Sequence, residues 1–566
     1  MHSVKSTCFG LLASRQLFSP NTFISGSGRG AVCVQDLFCS IGGRRTSSAT
    51  SEPVIIRVPK RLQNRLDSVK QVKRKTLAQV GTVKAGRLLI KSKNPTLNQS
   101  VSYTLGKFEE PVLTSKGWNN NKSFGDYFII NSTQSAPPFL PELKEENKQD
   151  GSEHRRTFSH LRLSPELVEI LQIHNIIHPT IVQLQTIPKL LRGHNIVCAA
   201  ETGSGKTLAY LLPIIQKLHA EMPQMEYSSE QKTQAVVLVP SRELAEQVSS
   251  VARTMSQPFG FKVKVVGGGR GVGSIKAAFS YGQPHVLVAT PGALLKALWR
   301  RFLDLSALRF MVIDEADTMF DPSFVDMLEK ILRQTQVAAN PSEITGHPRK
   351  AQLVVVGATF PGGVGELLGK MTDLGNLLTV KSRMLHYLMP HVKQTFIKVR
   401  GTEKVLELHQ ALKEAEPERK GVLVFCNSAA TVNWLGYTLE EMGLRHVRLQ
   451  GEMPASMREG IFQSFQKGYV DVLVCTDIAS RGLDTHRVGL VINYDFPESH
   501  TDYIHRAGRV GRAGSPGGGH VLSFITHPWD VELVQSIETA ARRRMCLPGM
   551  ETEIQKPVKT LPQESK

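Results

Sequence analysis

Two short segments of the sequence carry side chains that could hold the phosphates of a nucleotide and activate a water molecule beside them. The first, residues 200–207, stands between a strand-like run and a helix-like run. Glycines let backbone amides approach phosphate oxygens, and the following helix N-terminus favours anions. Lys206 supplies positive charge to the β- and γ-phosphates, and the Thr207 hydroxyl can ligate Mg²⁺. The predicted nucleotide-binding residues of this loop are Ala200, Glu201, Thr202, Gly203, Ser204, Gly205, Lys206 and Thr207.

The second segment is the acidic tetrad Asp314-Glu315-Ala316-Asp317, which directly follows the apolar run 310–313. A carboxylate at the end of a buried strand, beside a phosphate loop, can hold Mg²⁺ through its water shell. Asp314 is therefore the predicted metal residue, together with Thr207. Glu315 is predicted to orient and deprotonate the attacking water. Alone, the tetrad could equally be a solvated acidic turn, but the upstream Gly-x-Gly-Lys-Thr disfavours that alternative.

The elements that must position these side chains begin near residue 157, where short β-branched runs alternate with helix-like stretches. Nearly continuous Val/Ile/Leu strands separated by helices indicate parallel sheets covered on both faces. One series of strands is predicted at 195–199, 235–239, 285–289, 310–313 and 352–356, and a second at 421–425, 446–449, 471–475, 488–493 and 520–524. We therefore expect two similar α/β lobes, 157–385 and 393–545, joined by a linker at 381–392 and followed by a tail at 546–566.

The amino-acid composition indicates which broad class of protein this chain belongs to. Hydrophobic residues make up 41% and charged residues 21% of the 566 positions, as in soluble globular proteins. No apolar run approaches the roughly 20 residues that span a bilayer, so membrane insertion is not expected. The seven cysteines show no spacing typical of zinc sites or of a disulfide framework.

The net charge of +19 indicates polyanionic partners, and most of it lies in the first 100 residues. Residues 1–50 are rich in Ser and Arg and poor in acids, which is typical of a mitochondrial presequence and predicts the mitochondrial matrix. A basic tail without a targeting role is the simpler alternative, and Lys73-Arg74-Lys75 makes the nucleus or nucleolus a competing address. Residues 51–156 are predicted to be a basic extension followed by a polar linker, without a core of their own.

In their order along the chain, these motifs resemble those of the DEAD-box RNA helicases, over roughly residues 157–530. The resemblance implies two tandem RecA-like lobes with parallel sheets, preceded by a largely disordered basic N-terminal extension. It also implies that the lobes close over ATP, Mg²⁺ and single-stranded RNA, with Glu315 as catalytic base.

The resemblance assigns further residues. Phe158 and Gln183 match the motif that reads adenine, and an amide can both donate to and accept from that base. Arg509 and Arg512 match the arginine fingers that reach the γ-phosphate from the second lobe. Asp484 matches a nucleotide contact of that lobe. The implied RNA-binding residues are Arg242, Gly268, Thr290, Pro291, Gly292, Arg458, Thr476 and Arg481.

Four positions depart from the family pattern. Gly357 and Ala293 stand where the family has a serine and an arginine, and Ala455 stands where it has a glutamine. Ser241 replaces a threonine but keeps the hydroxyl. None of these changes touches the inferred ATP chemistry, whereas together they predict weak duplex unwinding.

The sequence thus predicts an RNA-stimulated ATP hydrolase that recognises the A-form shape and 2′-hydroxyls of structured RNA. With a mitochondrial address, mitochondrial ribosomal RNA and ribosome-assembly proteins become the expected partners. An ATP-gated RNA clamp or scaffold with little unwinding activity is the main alternative, and a DNA translocase is a second one.

Overall fold

A computed structural model describes residues 87–106, 108–134, 157–221, 231–268, 271–345, 350–360, 364–371, 375, 377–415, 420–477, 485–512, 518–548 and 550. The predicted presequence, 1–50, lies outside the described residues. Within those residues no helix combines the length and apolar character that crossing a membrane would require.

Three short strands come first along the described chain: β1 (Leu88–Ser92), β2 (Gln99–Ser100) and β3 (Tyr127–Ile130). They pair antiparallel, with β1 between the other two. One 3-10 helix, Pro95–Leu97, lies between β1 and β2, and two, Thr114–Gly117 and Asn121–Ser123, lie between β2 and β3.

The first lobe is a seven-stranded parallel sheet with strand order β10-β4-β9-β8-β5-β7-β6. Its strands are β4 (Ile196–Ala199), β5 (Ala235–Leu238), β6 (Val263–Val266), β7 (Val286–Ala289), β8 (Phe310–Ile313), β9 (Gln352–Gly357) and β10 (Leu378–Lys381). Its helices are α1 (Pro165–Ile173), α2 (Ile181–Leu191), α3 (Lys206–Glu221), α4 (Arg242–Ser256), α5 (Gly271–Phe279), α6 (Pro291–Trp299), α7 (Ala316–Met319), α8 (Pro322–Arg333), α9 (Pro341–Thr345) and α10 (Val364–Met371). One apolar cluster lies on each face of this sheet, as continuous apolar strands require.

The second lobe contributes six parallel strands to a nine-stranded sheet of order β13-β14-β12-β15-β16-β11-β3-β1-β2. These strands are β11 (Lys393–Lys398), β12 (Gly421–Phe425), β13 (His446–Leu449), β14 (Val472–Cys475), β15 (Val488–Asn493) and β16 (His520–Ile525). The helices are α11 (Lys404–Ala415), α12 (Ala429–Glu441), α13 (Ala455–Gln466), α14 (His500–Ala507) and α15 (Pro528–Arg543). The predicted fold class of two parallel-sheet lobes is confirmed, although β6, β10 and β11 are absent from the predicted series of strands.

The N-terminal strands correct the description of 51–156 as extension and linker. Strand β3 pairs antiparallel with β11, so Ile130 lies opposite Gln394 in the second lobe's sheet. The Phe128 ring stacks on Phe396 at 4.7 Å, and Trp118 packs on Phe128 at 5.6 Å. Residues 88–130 are therefore part of the second lobe, because its sheet and their aromatic side chains form one core.

A buried carboxylate fastens this N-terminal segment to α15. Glu538 is fully buried and accepts hydrogen bonds from the Thr114 amide at 2.8 Å and the Ser115 hydroxyl at 2.6 Å. It also pairs with Arg542 at 2.7 Å, and Arg542 donates to the Leu97 carbonyl at 3.0 Å. Arg542 is itself buried, which shows that it has a structural role.

Candidate nucleotide and RNA site

The predicted catalytic residues converge on one cavity of about 1170 Å³ at the carboxyl ends of the first-lobe strands. Parallel strands bring their carboxyl ends to one edge, which is why residues far apart in sequence meet here. The lining residues that matter for catalysis are Thr202, Gly203, Gly205, Lys206, Thr207, Asp314, Glu315, Arg509 and Arg512. The first and second lobes thus both contribute to the wall.

The phosphate loop occupies the turn between β4 and α3. Gly203 and Gly205 have φ values of 76° and 83°, a backbone conformation that favours glycine. The Lys206 ammonium donates to the carbonyl of Ala200 at 2.7 Å and to that of Glu201 at 3.0 Å. The Lys206 ammonium is therefore held above its own loop, where it can exchange these carbonyl contacts for phosphate oxygens at small cost.

The loop is also connected to the interlobe linker. The Ser382 hydroxyl donates to the Glu201 carboxylate at 2.5 Å, one residue beyond β10. Strand β10 pairs directly with β4, so the linker leaves the first lobe beside the phosphate loop. Glu201 therefore joins the loop to the linker instead of projecting towards a ligand.

The two acids at the end of β8 are buried and close together. Asp314 accepts from the Tyr210 hydroxyl at 2.8 Å and from the Glu315 amide at 2.9 Å. Burial, and then the neighbouring Glu315 carboxylate, raise the pKa of Asp314 to about 6. Glu315 has φ 49°, in the left-handed region, and one of its buried carboxylate oxygens accepts no hydrogen bond from the described residues. A backbone held in this conformation and an unsatisfied oxygen are typical of a catalytic base.

The two residues predicted to bind magnesium, Thr207 and Asp314, offer ligand atoms that suit this ion. The Thr207 hydroxyl and the Asp314 carboxylate are the hard oxygen ligands that Mg²⁺ prefers, and both line the cavity. A divalent cation between them would favour the ionised form of Asp314 against the effect of burial. These residues would hold the ion directly or through water.

Asp317 connects the two lobes, a role that sequence reasoning had not assigned. Its carboxylate accepts from the Thr359 hydroxyl at 2.8 Å and lies 2.7 Å from the His505 Nε2. Thr359 is the last residue of the Gly357-Ala358-Thr359 motif, so the divergent motif keeps this contact. His505 comes from α14 and is completely buried.

Gln183 lines the cavity, and the adenine contact that the resemblance implies for it stays a prediction. Its amide oxygen accepts from the Thr180 amide at 2.9 Å, and its amide nitrogen donates to the Gly205 carbonyl at 3.1 Å. In this structure the side chain therefore caps α2 and braces the phosphate loop. Phe158 is only 1% exposed and packs in the first-lobe core, away from the cavity wall.

The second-lobe arginines lie where arginine fingers would be needed. Arg509 is buried and donates to the His505 carbonyl at 3.1 Å. Arg512 packs on Gly203, where an added Cβ would come within 2.8 Å of the arginine Cγ. The Thr202 hydroxyl donates to the Gly508 carbonyl at 3.1 Å, which closes this side of the site.

The predicted RNA residues are less compactly grouped. Arg242 lines the cavity, while Arg458 pairs with Glu243 across the lobes at 3.3 Å. The other described members are Gly268, Thr290, Pro291, Gly292 and Thr476, which lie at or just beyond the ends of β6, β7 and β14. Arg481 and Asp484 lie outside the described residues.

Sequence reasoning also missed Arg506. Its guanidinium, 1% exposed, bonds both Asp477 oxygens at 2.7 Å and the Asn427 amide oxygen at 2.8 Å. It also donates to the Asp495 carbonyl at 2.8 Å and thereby holds together the three loops that follow β12, β14 and β15. Its position in an Arg-rich run was the only signal in the sequence, and it did not separate a structural arginine from the fingers beside it.

Comparisons with known proteins agree with this geometry. The DEAD/DEAH box helicase model matches residues 180–367, and the helicase conserved C-terminal domain matches 403–514. The mouse protein named probable ATP-dependent RNA helicase DDX28 is 49% identical over 522 residues, covering 90% of this chain and 94% of its own. The human protein of the same name is 48% identical, covering 91% and 95%. Yeast (S. cerevisiae) Dbp5 bound to RNA and ADP BeF3 aligns with a TM-score of 0.57 at 25% identity, covering 68% of this chain and 93% of that one.

Proposed function

The chain belongs to the DEAD-box family and is an ATP-dependent RNA helicase, and from that premise we propose that it grips and releases RNA more effectively than it opens duplexes. The proposal depends mainly on one observation, the single cavity to which both lobes contribute residues. Phosphate loop, acids and second-lobe arginines complete the hydrolytic site, whereas the departures from the family pattern fall on RNA-coupling positions.

The site residues divide the work of hydrolysis between the two lobes. Lys206 and the loop amides hold the phosphate chain, and Mg²⁺ bound through Thr207 and Asp314 would neutralise charge on the transferred group. Glu315 accepts a proton from the attacking water. Arg509 and Arg512 approach from the second lobe, so hydrolysis depends on lobe closure.

The ATPase assignment is tested by Glu315→Gln, which removes the base but keeps the side-chain shape. RNA-stimulated phosphate release should fall about 10²–10⁴-fold, because a general base contributes about that much. Glu169→Gln, an exposed acid on α1, is the matched control and should behave as wild type. Phosphate release at background in both wild type and Glu315→Gln would instead favour the ATP-gated clamp, and a preference for DNA over RNA as effector would favour a translocase.

Weak unwinding is proposed because three RNA-coupling side chains are missing. Gly357 lacks the hydroxyl usual in the family, Ala293 lacks a cation for backbone phosphate, and Ala455 lacks an amide. An added Cβ at Gly357 would meet the Thr359 carbonyl at 3.1 Å and the Phe360 ring at 3.2 Å, so serine would fit only after a small shift. Few base pairs opened per ATP hydrolysed is the expected result, and efficient strand separation would contradict it.

We further propose that the protein acts in the mitochondrial matrix, on structured RNA such as mitochondrial ribosomal RNA during ribosome assembly. The support is the Ser/Arg-rich, acid-poor composition of residues 1–50. Nuclear or nucleolar residence is the competing proposal.

Deletion of residues 1–50 tests the address. Import into isolated mitochondria should be lost, because the basic segment that the import machinery would read is gone. Residues 51–100 are basic as well, so a deletion of 51–80 is the control and should import normally. Unchanged import without residues 1–50 would rule out the presequence.

A further inference from the structure

One side of the first lobe is built from a stretch of chain without a single acid. From Gln247 to Leu303 the sequence holds no Asp or Glu but eight Lys/Arg: Arg253, Lys262, Lys264, Arg270, Lys276, Lys296, Arg300 and Arg301. The stretch includes β6, α5, β7 and α6. Such an excess of one sign on adjacent elements creates a positive surface potential.

Helices α5 and α6 carry this charge away from the predicted RNA residues. Both pack on the same face of the sheet, since Ile275 and Leu294 belong to one core cluster. They start beyond β6 and β7, near Gly268 and Thr290, and run back towards the amino ends of the strands. Nine residues of helix span about 13 Å. Their far ends therefore extend the basic surface well beyond the catalytic cavity.

Two aromatic side chains stand exposed at those far ends. Tyr281, just after α5, is 85% exposed, and Trp299, at the end of α6, is 65% exposed. The Lys264 ammonium lies 5.9 Å from the Tyr281 ring centroid. Lys296, Trp299 and Arg300 are spaced i, i+3 and i+4, which places them on one face of α6.

The cations of this surface are not neutralised within the part of the chain that the structure describes. There, Lys276, Lys296, Arg300 and Arg301 are exposed and form no ion pair. The neighbouring α8 carries two acids: Glu329 pairs with Arg333 of its own helix at 2.5 Å, and Asp326 is exposed. Helix α8 therefore marks one border of the basic surface.

We propose that the α5–α6 surface, defined by Lys276, Tyr281, Lys296, Trp299, Arg300 and Arg301, is a second RNA-binding site. Unpaired cations attract backbone phosphates, and exposed aromatic rings stack on unpaired bases. A protein partner would have to supply acidic side chains opposite these cations, whereas RNA presents a phosphate at every nucleotide. The surface would compensate for the phosphate cation lost at Ala293 by holding single-stranded RNA that leaves the cleft. The inference rests on the chain's being an RNA helicase.

The test compares RNA of two lengths. An oligonucleotide of about 8 bases fills the cleft only, and one of about 25 bases reaches the α5–α6 surface. The variant Lys296→Gln/Arg300→Gln/Arg301→Gln should bind the long RNA about tenfold more weakly, with the slope of log K against log salt reduced by about 2. Binding of the short RNA and the ATPase activity that it stimulates should be unchanged.

A matched variant removes the same charge from exposed lysines and an arginine elsewhere. Lys122→Gln/Lys413→Gln/Arg445→Gln should leave the affinity and salt slope for long RNA as in wild type. Stacking has its own readout: long RNA should quench a component of the tryptophan fluorescence in wild type that is missing in Trp299→Phe. That variant keeps the buried Trp118 and the exposed Trp434 and Trp529 as an internal reference.

Three outcomes separate the hypotheses. Equal affinity, slope and quenching in wild type and surface variants, with RNA-stimulated ATPase intact, would overturn the second site while the helicase function stands. Wild type that binds neither RNA would overturn the helicase function itself. Binding to vesicles of anionic lipid that the surface substitutions abolish, without any effect on long RNA, would replace RNA by a membrane and overturn the proposal.

Discussion

At the scale of single residues, His386 is a buried side chain whose surroundings do not satisfy its polar atoms. It lies in the interlobe linker with φ 66° and only 3% exposure. Its backbone carbonyl accepts from the Leu547 amide at 3.0 Å, which shows that the predicted tail begins packed against the linker. Neither ring nitrogen has a hydrogen-bond partner among the described residues. Burial lowers the pKa of His386 to about 4, opposed by the Asp317 charge and assisted by Lys381.

This pKa makes stability depend on pH. An ordinary histidine value is 6.5, so the unfolded chain takes up a proton before the folded chain does as the pH falls. The contribution of the neutral His386 to the free energy of unfolding is complete above pH 6.5 and is lost progressively towards pH 4. The loss amounts to about 2 kcal/mol by pH 5. His386→Asn keeps a residue that tolerates the left-handed conformation but cannot titrate. Urea unfolding at pH 7 and pH 5 should show a drop about 2 kcal/mol smaller in the variant than in wild type.

The control for this experiment is His409→Asn, on α11, where the side chain is half-exposed. It should keep the full drop in stability between pH 7 and pH 5. An identical drop in wild type and His386→Asn would mean that His386 does not remain neutral in the folded protein. Because partial burial also lowers the pKa of His520 to about 4, some pH dependence should persist in every variant.

The catalytic residues themselves were predictable because their chemistry is local. Lys206 and Thr207 end the loop that follows β4, and Glu315 lies two residues beyond β8, so each strand and its turn are written in nearby residues. Gln183 was not predictable in the same way. Its partner, Gly205, lies 22 residues away, and only the packing of α2 on α3 brings the amide to that carbonyl.

At the scale of elements, the N-terminal strands are the main departure from the sequence prediction. Strands β1, β2 and β3 have two to five residues each, too few for a period-two pattern to emerge from a basic segment. The second-lobe partner of β3, strand β11, lies more than 260 positions further along the chain. Strand β6, Val-Lys-Val-Val, was also missed, and a lysine interrupts its apolar run.

Removal of the Glu538 carboxylate should detach this element. Glu538→Ala leaves the Arg542 charge buried without its partner and orphans the Thr114 and Ser115 donors. Breaking a buried pair in this way costs about 3–5 kcal/mol. Chemical denaturation should report that loss, and limited proteolysis should show faster cutting between residues 87 and 134.

Glu532→Ala on the same helix is the matched control. This side chain is exposed, so its loss should change the free energy of unfolding by no more than about 0.5 kcal/mol. Equal stability of Glu538→Ala and Glu532→Ala would show that the N-terminal segment is not held by this contact.

At the scale of the whole molecule, the domain boundary moves from residue 157 to residue 87. A chain beginning at 135 would lack β3, exposing the edge of β11 and the ring of Phe396. An uncovered, apolar sheet edge promotes aggregation. Circular dichroism melts should show a chain beginning at 87 to be as stable as the full protein, and a chain beginning at 135 to melt lower or precipitate. Equal melting of both truncations would contradict the shared sheet.

The boundary at residue 87 also sets where the basic extension can be removed to test its contribution to RNA binding. Residues 1–86 carry fourteen Lys/Arg and three acids, all outside the described residues. Comparing the full chain with one beginning at 87 isolates their electrostatic contribution to RNA binding without breaking the sheet.

The placement of the N-terminal strands also bears on how the chain is made. Thr114 meets Glu538 across 424 positions, so the first lobe is synthesised in full between two parts of the second. At about 5–20 residues per second, the N-terminal strands wait roughly 20–80 seconds before their partners emerge. During that interval Trp118 and Phe128 have no core to enter, and the first lobe can fold while they remain uncovered. The order of synthesis therefore leaves these apolar side chains exposed until the second half of their lobe has been made.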